Sequence, residues 1–476
     1  MLFNSFDFGL FLVVVYGTYW LLGSKNRIAQ NVLLLVASYL FYGLWDWRFL
    51  SLLVASSLVD YVAGRALAST NKASTRKVLV GCSIVWNLGV LIAFKYFNFF
   101  IESFNRMFSS EVLENSFTIW TVLIPLGLSF YTFQTMSYTI DVYNRKIPPT
   151  RNALNFLCFV SFFPQLIAGP IERAKSLLPQ FENRRKFDLA SSKEGLRQIL
   201  WGLFKKILVA DKIGIAVTMV FANPETYGSI TLVYGAVLFA FQVYCDFSAY
   251  SDIAIGTAKL FGFKLSRNFK IFYLSKTLTE LWRGWHITLT RWFTDYVYLP
   301  ILKRAKHRTV FLRSYALLLT MLLIGLWHGA NWTFIAFGLC NGIVMVTERL
   351  PLFSNNKSLG WFIQKLPYVL SVLYTFAIYS VLCIFFRSEN LTQALYILKR
   401  IFSFTPDVRL SSLIGIKLIY LAIMIIAEIA TRHHEYPLQK LENVLPRPAR
   451  WILYYLIIFF LIRYAEPKEA FIYFQF

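Results

Sequence analysis

The sequence has few charged residues, few histidines and few cysteines. Only 15% of its 476 residues are Asp, Glu, Lys or Arg, and histidine and cysteine occur five times each. Soluble domains usually carry about 25% charged residues, so this shortage excludes an ordinary soluble protein. The cysteines are Cys82, Cys158, Cys245, Cys340 and Cys383. They form no CxxC pair and no zinc-binding spacing with histidine, and we expect neither a disulfide nor a metal site.

Long apolar runs make up much of the sequence. Hydrophobic residues make up 57% of the chain, and about 20 apolar residues cross the hydrocarbon core of a bilayer. The windows without Asp, Glu, Lys or Arg are 8–24, 28–45, 78–94, 115–140, 152–171, 226–245, 314–347 and 366–386. With weaker stretches added, we predict an all-α polytopic membrane protein of roughly 10–14 helices, forming one domain over residues 1–476. Window 314–347 should hold two helices with a turn from Gly329 to Asn331.

Basic residues outnumber acidic ones by 48 to 25, which gives a net charge of +23. Nucleic-acid-binding proteins share such an excess, but membrane proteins also place it in their cytoplasmic loops. Here the basic residues cluster after apolar runs, as with Lys25 and Arg27, or Lys303 and Arg304. This placement argues against nucleic acid and for the lipid bilayer as partner. It also predicts that both termini lie outside the cytoplasm.

Residues 160–194 and 246–300 mix aromatics, Gly, Pro and charges, and they resist assignment to simple spans. Irregular backbone at membrane depth is tolerated where protein buries it or where it lines a cavity, so we predict re-entrant or cavity-lining elements there. Asp246 and Asp252 fall in the second region. A carboxylate at this depth needs a partner, and pairing with a nearby Lys or Arg is the simpler interpretation. We keep Asp246 as a candidate that supports a site.

His328 is the most conspicuous polar group in the apolar sequence. It is the one strongly polar titratable residue between Arg313 and Glu348, in the run GLWHGANW. The other isolated histidine outside the basic loops is His286. His328 is either a buried hydrogen-bonding group or a general base, because the ordinary histidine pKa near 6.5 suits proton transfer at neutral pH.

The run ELWRGWHITLTRWF surrounds His286 with tryptophan and arginine. If it is one helix, Arg283 and His286 share a face at spacing i, i+3, beside Trp282 and Trp285. One interpretation is an interfacial helix with a tryptophan belt and snorkelling arginines. The other is a site where Arg283 binds an anion and His286 assists the chemistry.

Taken together, these segments resemble the membrane-bound O-acyltransferase (MBOAT) family. The resemblance depends on five sequence runs. Two of them, WRGWHITLTRWFTDYVYLPI and LWHGANWTF, contain histidines that are 42 positions apart. The other three are YCDFSAYSDIAIG, FPQLIAGPIER and IPLGLSFYTFQ. The latter three are similar to the bacterial branch, which contains the alginate O-acetylation membrane protein and the teichoic acid D-alanyl transferase. The resemblance implies helices around a central tunnel, with His328 as catalytic histidine and His286 as second site histidine.

The resemblance also implies the substrates, partners and location. We expect an acyl thioester donor at the cytoplasmic face, either acetyl-coenzyme A or an acyl carrier protein with its phosphopantetheine, and no permanently bound cofactor. Arg283, with Trp282 and Trp285, would bind this donor, and Asp246 and Asn331 would support the site. The acceptor would be a hydroxyl of a cell-surface polysaccharide, and the location the bacterial inner membrane. An extracytoplasmic SGNH-hydrolase-like acyltransferase is the expected partner.

Three alternatives to this prediction stay open, and one of them is a purely structural scaffold for a secretion complex. D-alanyl transfer to teichoic acid is the second choice after acetyl transfer. A transporter is the competing class, with His328, His286, Asp246 and Asp252 forming a proton relay. No inverted repeat of the kind that marks many transporters is visible in the sequence, which argues against that class.

The C-terminal tail, residues 465–476, ends in FIYFQF, an FxYxxF pattern centred on Tyr473. The pattern resembles the C-terminal motif of the small membrane peptide that accompanies the teichoic acid D-alanyl transferase, whose tyrosine is thought to carry the acyl group briefly. A phenol has a pKa near 10 and is easier to activate than a sugar hydroxyl. Tyr473 is therefore a candidate acyl relay. The alternative is an aromatic anchor at the membrane interface.

Overall fold

The computed structural model describes residues 3–23, 25–108, 124–353, 357–406, 417–465 and 471–472. These residues are almost entirely helical. The strands in this part of the chain are Pro351–Phe353 and Lys357–Ser358, which pair antiparallel. The prediction of an all-α protein is confirmed.

The chain divides into two compact units, and the first contains Met1–Leu196 with Ala254–Ser266. Its helices are Phe6–Leu21, Arg27–Asp46, Leu50–Ser69, Ala73–Leu91, Phe97–Phe108, Leu128–Tyr143, Ala153–Ser161, Phe163–Leu166 and Ala174–Glu182. Two helices, Leu189–Leu203 and Ser229–Leu260, have residues in both units. The single domain over residues 1–476 stays a prediction.

The second unit contains Arg197–Ile253 with Arg267–Phe476. Its further helices are Asp211–Ala222, Leu278–Gly284, Ile287–Phe293, Leu299–Arg304, Val310–His328, Trp332–Thr347, Leu359–Lys365, Tyr368–Arg387, Leu391–Phe402, Lys417–Ala430 and Arg447–Arg463. Wider π-helical turns interrupt the regular helices at Phe204–Ala210 and Thr294–Tyr298. Such turns are frequent at functional sites, and every described candidate site residue lies in this unit.

Five helical stretches of the described chain are long and apolar enough to cross a bilayer. They are Arg27–Ser69, Ala73–Asn105, Ser229–Leu260, Val310–His328 and Tyr368–Arg387. The first stretch holds two helices of 20 residues each, Arg27–Asp46 and Leu50–Ser69. The short 3₁₀ turn Trp47–Phe49 joins them. Three shorter apolar helices are Phe6–Leu21, Trp332–Thr347 and Leu418–Ala430.

Among the described residues, fewer helices are long enough to cross a bilayer than the 10–14 spans that the sequence predicts. Part of the window 115–140 lies outside the described residues. Several other apolar windows form short or interrupted helices. Window 152–171 contains two short helices, Ala153–Ser161 and Phe163–Leu166, which are separated at Phe162. Pro164 lies in the first turn of the second helix. Residues 246–260 continue the long helix Ser229–Leu260 and do not form a re-entrant element.

The long helices expose apolar side chains over their outer faces. On Arg27–Asp46 the exposed stripe repeats every four residues, through Ile28, Val32, Val36, Leu40 and Leu44, each between 45% and 65% exposed. A stripe of this kind is unfavourable in water. It is the surface expected of a helix that faces lipid, in line with a multi-pass membrane protein.

Four glycines hold the helices Val310–His328 and Trp332–Thr347 together as a hairpin. They form two GxxxG patterns, Gly325–Gly329 in GLWHG and Gly338–Gly342 in GLCNG. A Cβ on Gly338 would lie 2.9 Å from the Cα of Gly325, and it would lie closer still to the carbonyl oxygen of Met321. Small residues let two helix backbones approach in this way in membranes. The predicted turn at Gly329–Asn331 is confirmed.

This packing predicts that Gly338→Ala destabilises the protein. The added methyl group has no room and must push the two helices apart, at a cost of about 1–3 kcal/mol. The midpoint of thermal unfolding of the purified protein should fall. Gly81→Ala is the matched control, because a Cβ there meets nothing within 4 Å. Equal unfolding midpoints for Gly338→Ala and Gly81→Ala would contradict the prediction.

Candidate active site

The two candidate histidines come together around one tryptophan. His286 is 0% exposed and His328 is 2% exposed. The indole ring of Trp327 lies 5.6 Å from the imidazole of His286 and 5.1 Å from that of His328, centroid to centroid. Two residues 42 positions apart in the chain therefore share one buried aromatic environment.

His328 is the last residue of its helix, and Gly329 ends the helix in an extended conformation. Phe386 and Phe337 contact the imidazole at centroid distances of 5.2 and 6.1 Å. Aromatic rings therefore surround the imidazole at the end of this helix.

His286 occupies a strained turn between two short helices. Its backbone is left-handed, with φ 41° and ψ 55°, and it caps the helix Ile287–Phe293. Such a conformation is uncommon for residues other than glycine, costs of order 1–3 kcal/mol, and clusters at functional sites. The imidazole packs against Phe247 and Phe269 at 4.6 and 6.1 Å.

Asn268 holds this turn in place. The backbone carbonyl of this fully buried residue accepts a hydrogen bond from Ile287 N–H at 2.8 Å. Its side-chain oxygen accepts two more from Thr288, from the backbone N–H at 3.2 Å and from the hydroxyl at 2.9 Å. The sequence reasoning missed Asn268. Its surroundings in the sequence, KLSRNFKI, gave no signal that set it apart.

His286 lies outside the long apolar helices, and burial lowers its pKa well below the ordinary value. The neighbouring imidazole of His328 lowers this pKa further. His286 is therefore neutral at physiological pH. A neutral imidazole carries one N–H donor and one acceptor nitrogen, which suits it to donate a hydrogen bond to a developing negative charge.

The prediction that Arg283 and His286 share a helix face was wrong. The helix Leu278–Gly284 ends before His286, and Trp285 between them is extended. Arg283 is exposed, whereas His286 is fully buried. The chain turns at this point because two short helices meet there, and the turn separates the guanidinium from the imidazole.

Arg283 instead lines an open pocket of ≈ 670 Å³ together with Lys276 and Arg349. Other lining residues are Thr277, Thr279, Glu280, Glu348, Ser358, Gly360, Trp361 and Gln364. Three cationic side chains and several hydroxyl and amide groups suit such a pocket to an anion.

Glu348 fixes the start of the helix that carries Arg283. This buried carboxylate accepts hydrogen bonds from Leu278 N–H at 2.8 Å, from Thr279 N–H at 3.2 Å and from the Thr279 hydroxyl at 3.2 Å. Burial raises the pKa of Glu348, and these hydrogen bonds oppose the rise. The lining still has one more basic than acidic side chain, because Lys276, Arg283 and Arg349 stand against Glu280 and Glu348.

The two candidate tryptophans are buried away from the pocket lining. Trp282 donates its indole N–H to the side-chain oxygen of Asn341 at 3.0 Å. Trp285 packs against Phe272 and Tyr379, at centroid distances of 5.3 and 5.6 Å. Both are at most 2% exposed, so the described contacts give them a packing role next to the histidines.

Asn331 stabilises the hairpin formed by the helices Val310–His328 and Trp332–Thr347. Its side-chain oxygen accepts a hydrogen bond from Thr333 N–H at 3.0 Å and so caps the helix Trp332–Thr347. Its amide donates to the carbonyl of Glu389 at 2.8 Å. These contacts fix the turn that follows His328, so Asn331 supports the site through the backbone.

The two candidate aspartates pair with successive lysines. Asp246 Oδ1 lies 2.8 Å from Lys206 Nζ, and Asp252 Oδ2 lies 2.7 Å from Lys205 Nζ. Lys206 also pairs with Asp211 at 2.8 Å. Both lysines lie in the π-helical turn Phe204–Ala210. The simpler interpretation, pairing with a nearby cation, is confirmed; the two lysines in the apolar run LFKKILV were the signal for these partners.

The C-terminal tail reaches this same region. Phe471 is 1% exposed, and its ring lies 4.0 Å from Tyr250 and 5.8 Å from Phe247, centroid to centroid. Phe247 in turn contacts His286. Tyr473 lies outside the described residues. The residues just before it are therefore one aromatic side chain away from the histidine site.

Fold and site together define a polytopic helical membrane protein with two buried histidines at its candidate centre. Residues 86–387 match the membrane-bound O-acyltransferase (MBOAT) family. The chain belongs to this family, and it is an O-acyltransferase. Membership confirms the resemblance and favours the enzyme over the transporter.

Relatives extend the similarity beyond the family region. The chain is 40% identical over 415 residues to the probable alginate O-acetylase AlgI of Pseudomonas putida, covering 86% of this chain and 81% of that protein. It is 32% identical over 429 residues to the peptidoglycan O-acetyltransferase of Helicobacter pylori, covering 84% and 79%. It is 26% identical over 287 residues to the teichoic acid D-alanyltransferase of Streptococcus thermophilus, covering 55% and 68%.

Proposed function

We propose that this enzyme transfers an acetyl group from a thioester in the cytoplasm, across the inner membrane of a bacterium, to hydroxyls of a cell-surface polysaccharide. The pair of buried histidines around Trp327 carries the proposal, because it supplies proton-transfer groups within an apolar membrane protein. The names of the two relatives that match most of the chain denote O-acetyl transfer. Alginate is the first acceptor to test, and D-alanyl transfer is the weaker alternative, since that relative matches a shorter part of the chain.

The histidines fit acyl transfer from a thioester to a hydroxyl. His328 takes the hydroxyl proton while the oxygen attacks the thioester carbonyl. The neutral N–H of His286 donates to the oxyanion of the tetrahedral intermediate. When the intermediate collapses, the C–S bond breaks, the ester forms and the proton on His328 passes to the departing thiolate.

The pocket lined by Arg283 is our proposed binding site for the coenzyme A or carrier-protein part of the acyl donor. Coenzyme A and the phosphopantetheine of a carrier protein both contain phosphate, and guanidinium groups bind phosphate with two parallel hydrogen bonds. Arg283, Arg349 and Lys276 line the pocket together. The acyl donor is a substrate here, and the proposal requires no permanently bound cofactor.

The kinetic parameters should separate the roles of Arg283 and His286. Arg283→Ala should raise the KM for acetyl-coenzyme A, or for the acetylated carrier protein, more than it lowers kcat, because the guanidinium binds a part of the donor that does not react. His286→Ala should lower kcat instead, by about 10²-fold for a lost oxyanion donor. Steady-state assays with both donors also decide which carrier is used.

Arg291→Ala is the matched control for Arg283→Ala. Arg291 is also exposed, and it lies on the neighbouring short helix Ile287–Phe293 outside the pocket lining. This variant should keep the KM for the donor. Equal changes for Arg283→Ala and Arg291→Ala would show a general effect of surface charge and would contradict a donor site at Arg283.

We propose that Tyr473 is the acyl relay. We also propose that both termini lie outside the cytoplasm. Phenolate is a better leaving group than a sugar alkoxide, so an aryl ester on Tyr473 remains reactive toward polymer hydroxyls. The burial of Phe471 beside Tyr250 and Phe247 supports this role, because it brings the tail to the histidines. An extracytoplasmic SGNH-hydrolase-like partner would complete the transfer to the polysaccharide.

The polymer itself tests the proposed function. Mass analysis should compare the surface polysaccharide of cells that have the gene with that of cells that lack it. Loss of O-acetyl esters supports the proposal, and loss of D-alanyl esters would select the alternative. An unchanged polymer would overturn it.

A further inference from the structure

Asp246 contacts both a buried lysine and the C-terminal tail. Its Oδ1 lies 2.8 Å from Lys206 Nζ, while its Oδ2 accepts the backbone N–H of Ile472 at 2.7 Å. Asp246 is 3% exposed, and Ile472 is 4% exposed. A carboxylate that joins two chain segments 226 positions apart fixes where the tail lies.

The arrangement of charges suits this contact. Asp246 and Asp211 share the ammonium of Lys206. Two carboxylates around one ammonium leave acceptor capacity, and a backbone N–H is a suitable donor to it. The hydrogen bond uses the backbone of Ile472, so it sets the register of the tail whatever side chain stands there.

An aromatic contact supports the same register. The ring of Phe471 lies 4.0 Å from that of Tyr250, and Asp246 and Tyr250 are four residues apart on the helix Ser229–Leu260, hence on one face. Ile472 and Phe471 therefore dock side by side, one through its backbone and the other through its ring.

We propose that Asp246, oriented by Lys206, is the positioning residue that anchors the tail next to the histidine site. Ile472 is bonded directly to Tyr473, and consecutive Cα atoms are about 3.8 Å apart. The anchored residue is therefore the immediate chain neighbour of the candidate relay. The anchor stands on the contacts alone, and its effect on transfer rests on the relay in the proposed function.

Asp246→Asn tests the anchor with little change of shape. Both carboxylate oxygens accept from donors, whereas an asparagine must turn its NH₂ group toward either Lys206 or Ile472 N–H. Loss of a hydrogen bond to a charged group should lower the ratio of docked to undocked tail about tenfold or more. The measurement is carboxypeptidase digestion of the full-length protein in nanodiscs, followed by intact mass. In the wild type, digestion should stop at the docked Phe471–Ile472.

Asp252→Asn is the matched control. Asp252 lies on the same helix, and its two oxygens also accept from two donors, Lys205 Nζ at 2.7 Å and the Gln198 amide at 2.9 Å. The substitution therefore carries a similar folding cost at a position that binds Lys205 and Gln198 rather than Ile472. If Asp246→Asn does not fold, Phe471→Ala tests the same anchor without changing the ion pair.

The outcomes separate the anchor from the relay. Digestion that passes Phe471 in Asp246→Asn but stops there in Asp252→Asn supports the anchor. A tail that stays protected in Asp246→Asn, or one that is equally exposed in Asp252→Asn, overturns it. If the relay also holds, Asp246→Asn lowers kcat for polymer acetylation about tenfold with an unchanged KM for the donor. An exposed tail with normal transfer keeps the anchor and rejects the relay.

Discussion

Replacing His328 with alanine is expected to remove acyl transfer and to leave the protein folded in the membrane. A general base typically contributes about 10²- to 10⁴-fold to the rate, so kcat should fall by at least about 100-fold. The KM for the donor should change little, because the pocket at Arg283 is lined by other residues. The measurement is transfer from labelled donor by purified protein.

The surroundings of His328 explain why no other residue should replace it. Its imidazole is enclosed by Trp327, Phe386 and Phe337, none of which takes up a proton at neutral pH. His286 contacts the same tryptophan, but burial lowers its pKa and makes it a poor base.

His307→Ala is the control for this prediction. His307 is an exposed histidine in a basic segment outside the site, so its loss should leave transfer unchanged. If His328→Ala retains more than about half of the wild-type rate, His328 is a buried packing residue rather than a base.

The sequence singled out His328 by its isolation in apolar sequence, and the resemblance to the MBOAT family, rather than spacing, grouped it with His286. His328 is the titratable residue of a long apolar window, and such residues in membrane proteins are expensive and functional by default. The turn at Gly329–Asn331 was also predictable, since a hairpin needs a break in a window of that length. These features depend on local sequence, and the described structure places them as expected.

The separation of Arg283 from His286 was not predictable from spacing. The pattern of Trp, Arg and His is compatible with one helix, and only tertiary contacts to Asn268 impose the left-handed turn at His286. Spacing at i, i+3 predicts proximity only within an unbroken helix. The pocket at Arg283 is likewise formed by residues that are distant in the chain, including Arg349.

The hydrogen bond between Asp246 and the C-terminal tail could not be predicted from local sequence either. Asp246 was a candidate because a carboxylate in apolar sequence needs a partner, and the lysine partner follows from that argument. The second partner is a backbone N–H, which every residue except proline carries and which leaves no trace in the sequence. Only the fold shows that Ile472 supplies it.

Tyr473→Phe is expected to block acetylation of the polymer and to leave the fold and donor binding unchanged. The substitution keeps the aromatic ring and removes only the oxygen that would carry the acyl group. If the relay is the sole route to the polymer, the rate should fall by at least about 100-fold, because a covalent carrier tethered to the enzyme supplies the acyl group at high effective concentration. Intact mass of wild-type protein after donor addition should show one acyl group on the C-terminal peptide, labile to hydroxylamine.

Tyr455→Phe separates a relay from a general need for tyrosine at this end of the chain. Tyr455 is 63% exposed on the last helix, Arg447–Arg463, where its ring lies 5.7 Å from that of Trp451. Loss of its hydroxyl should leave transfer at the wild-type rate, as expected for an aromatic residue at a membrane surface. His328→Ala should show no acyl group on the tail, because loading needs the base. Normal polymer acetylation by Tyr473→Phe would reject the relay, and direct attack of the polymer hydroxyl, with His328 as base, would then be the mechanism.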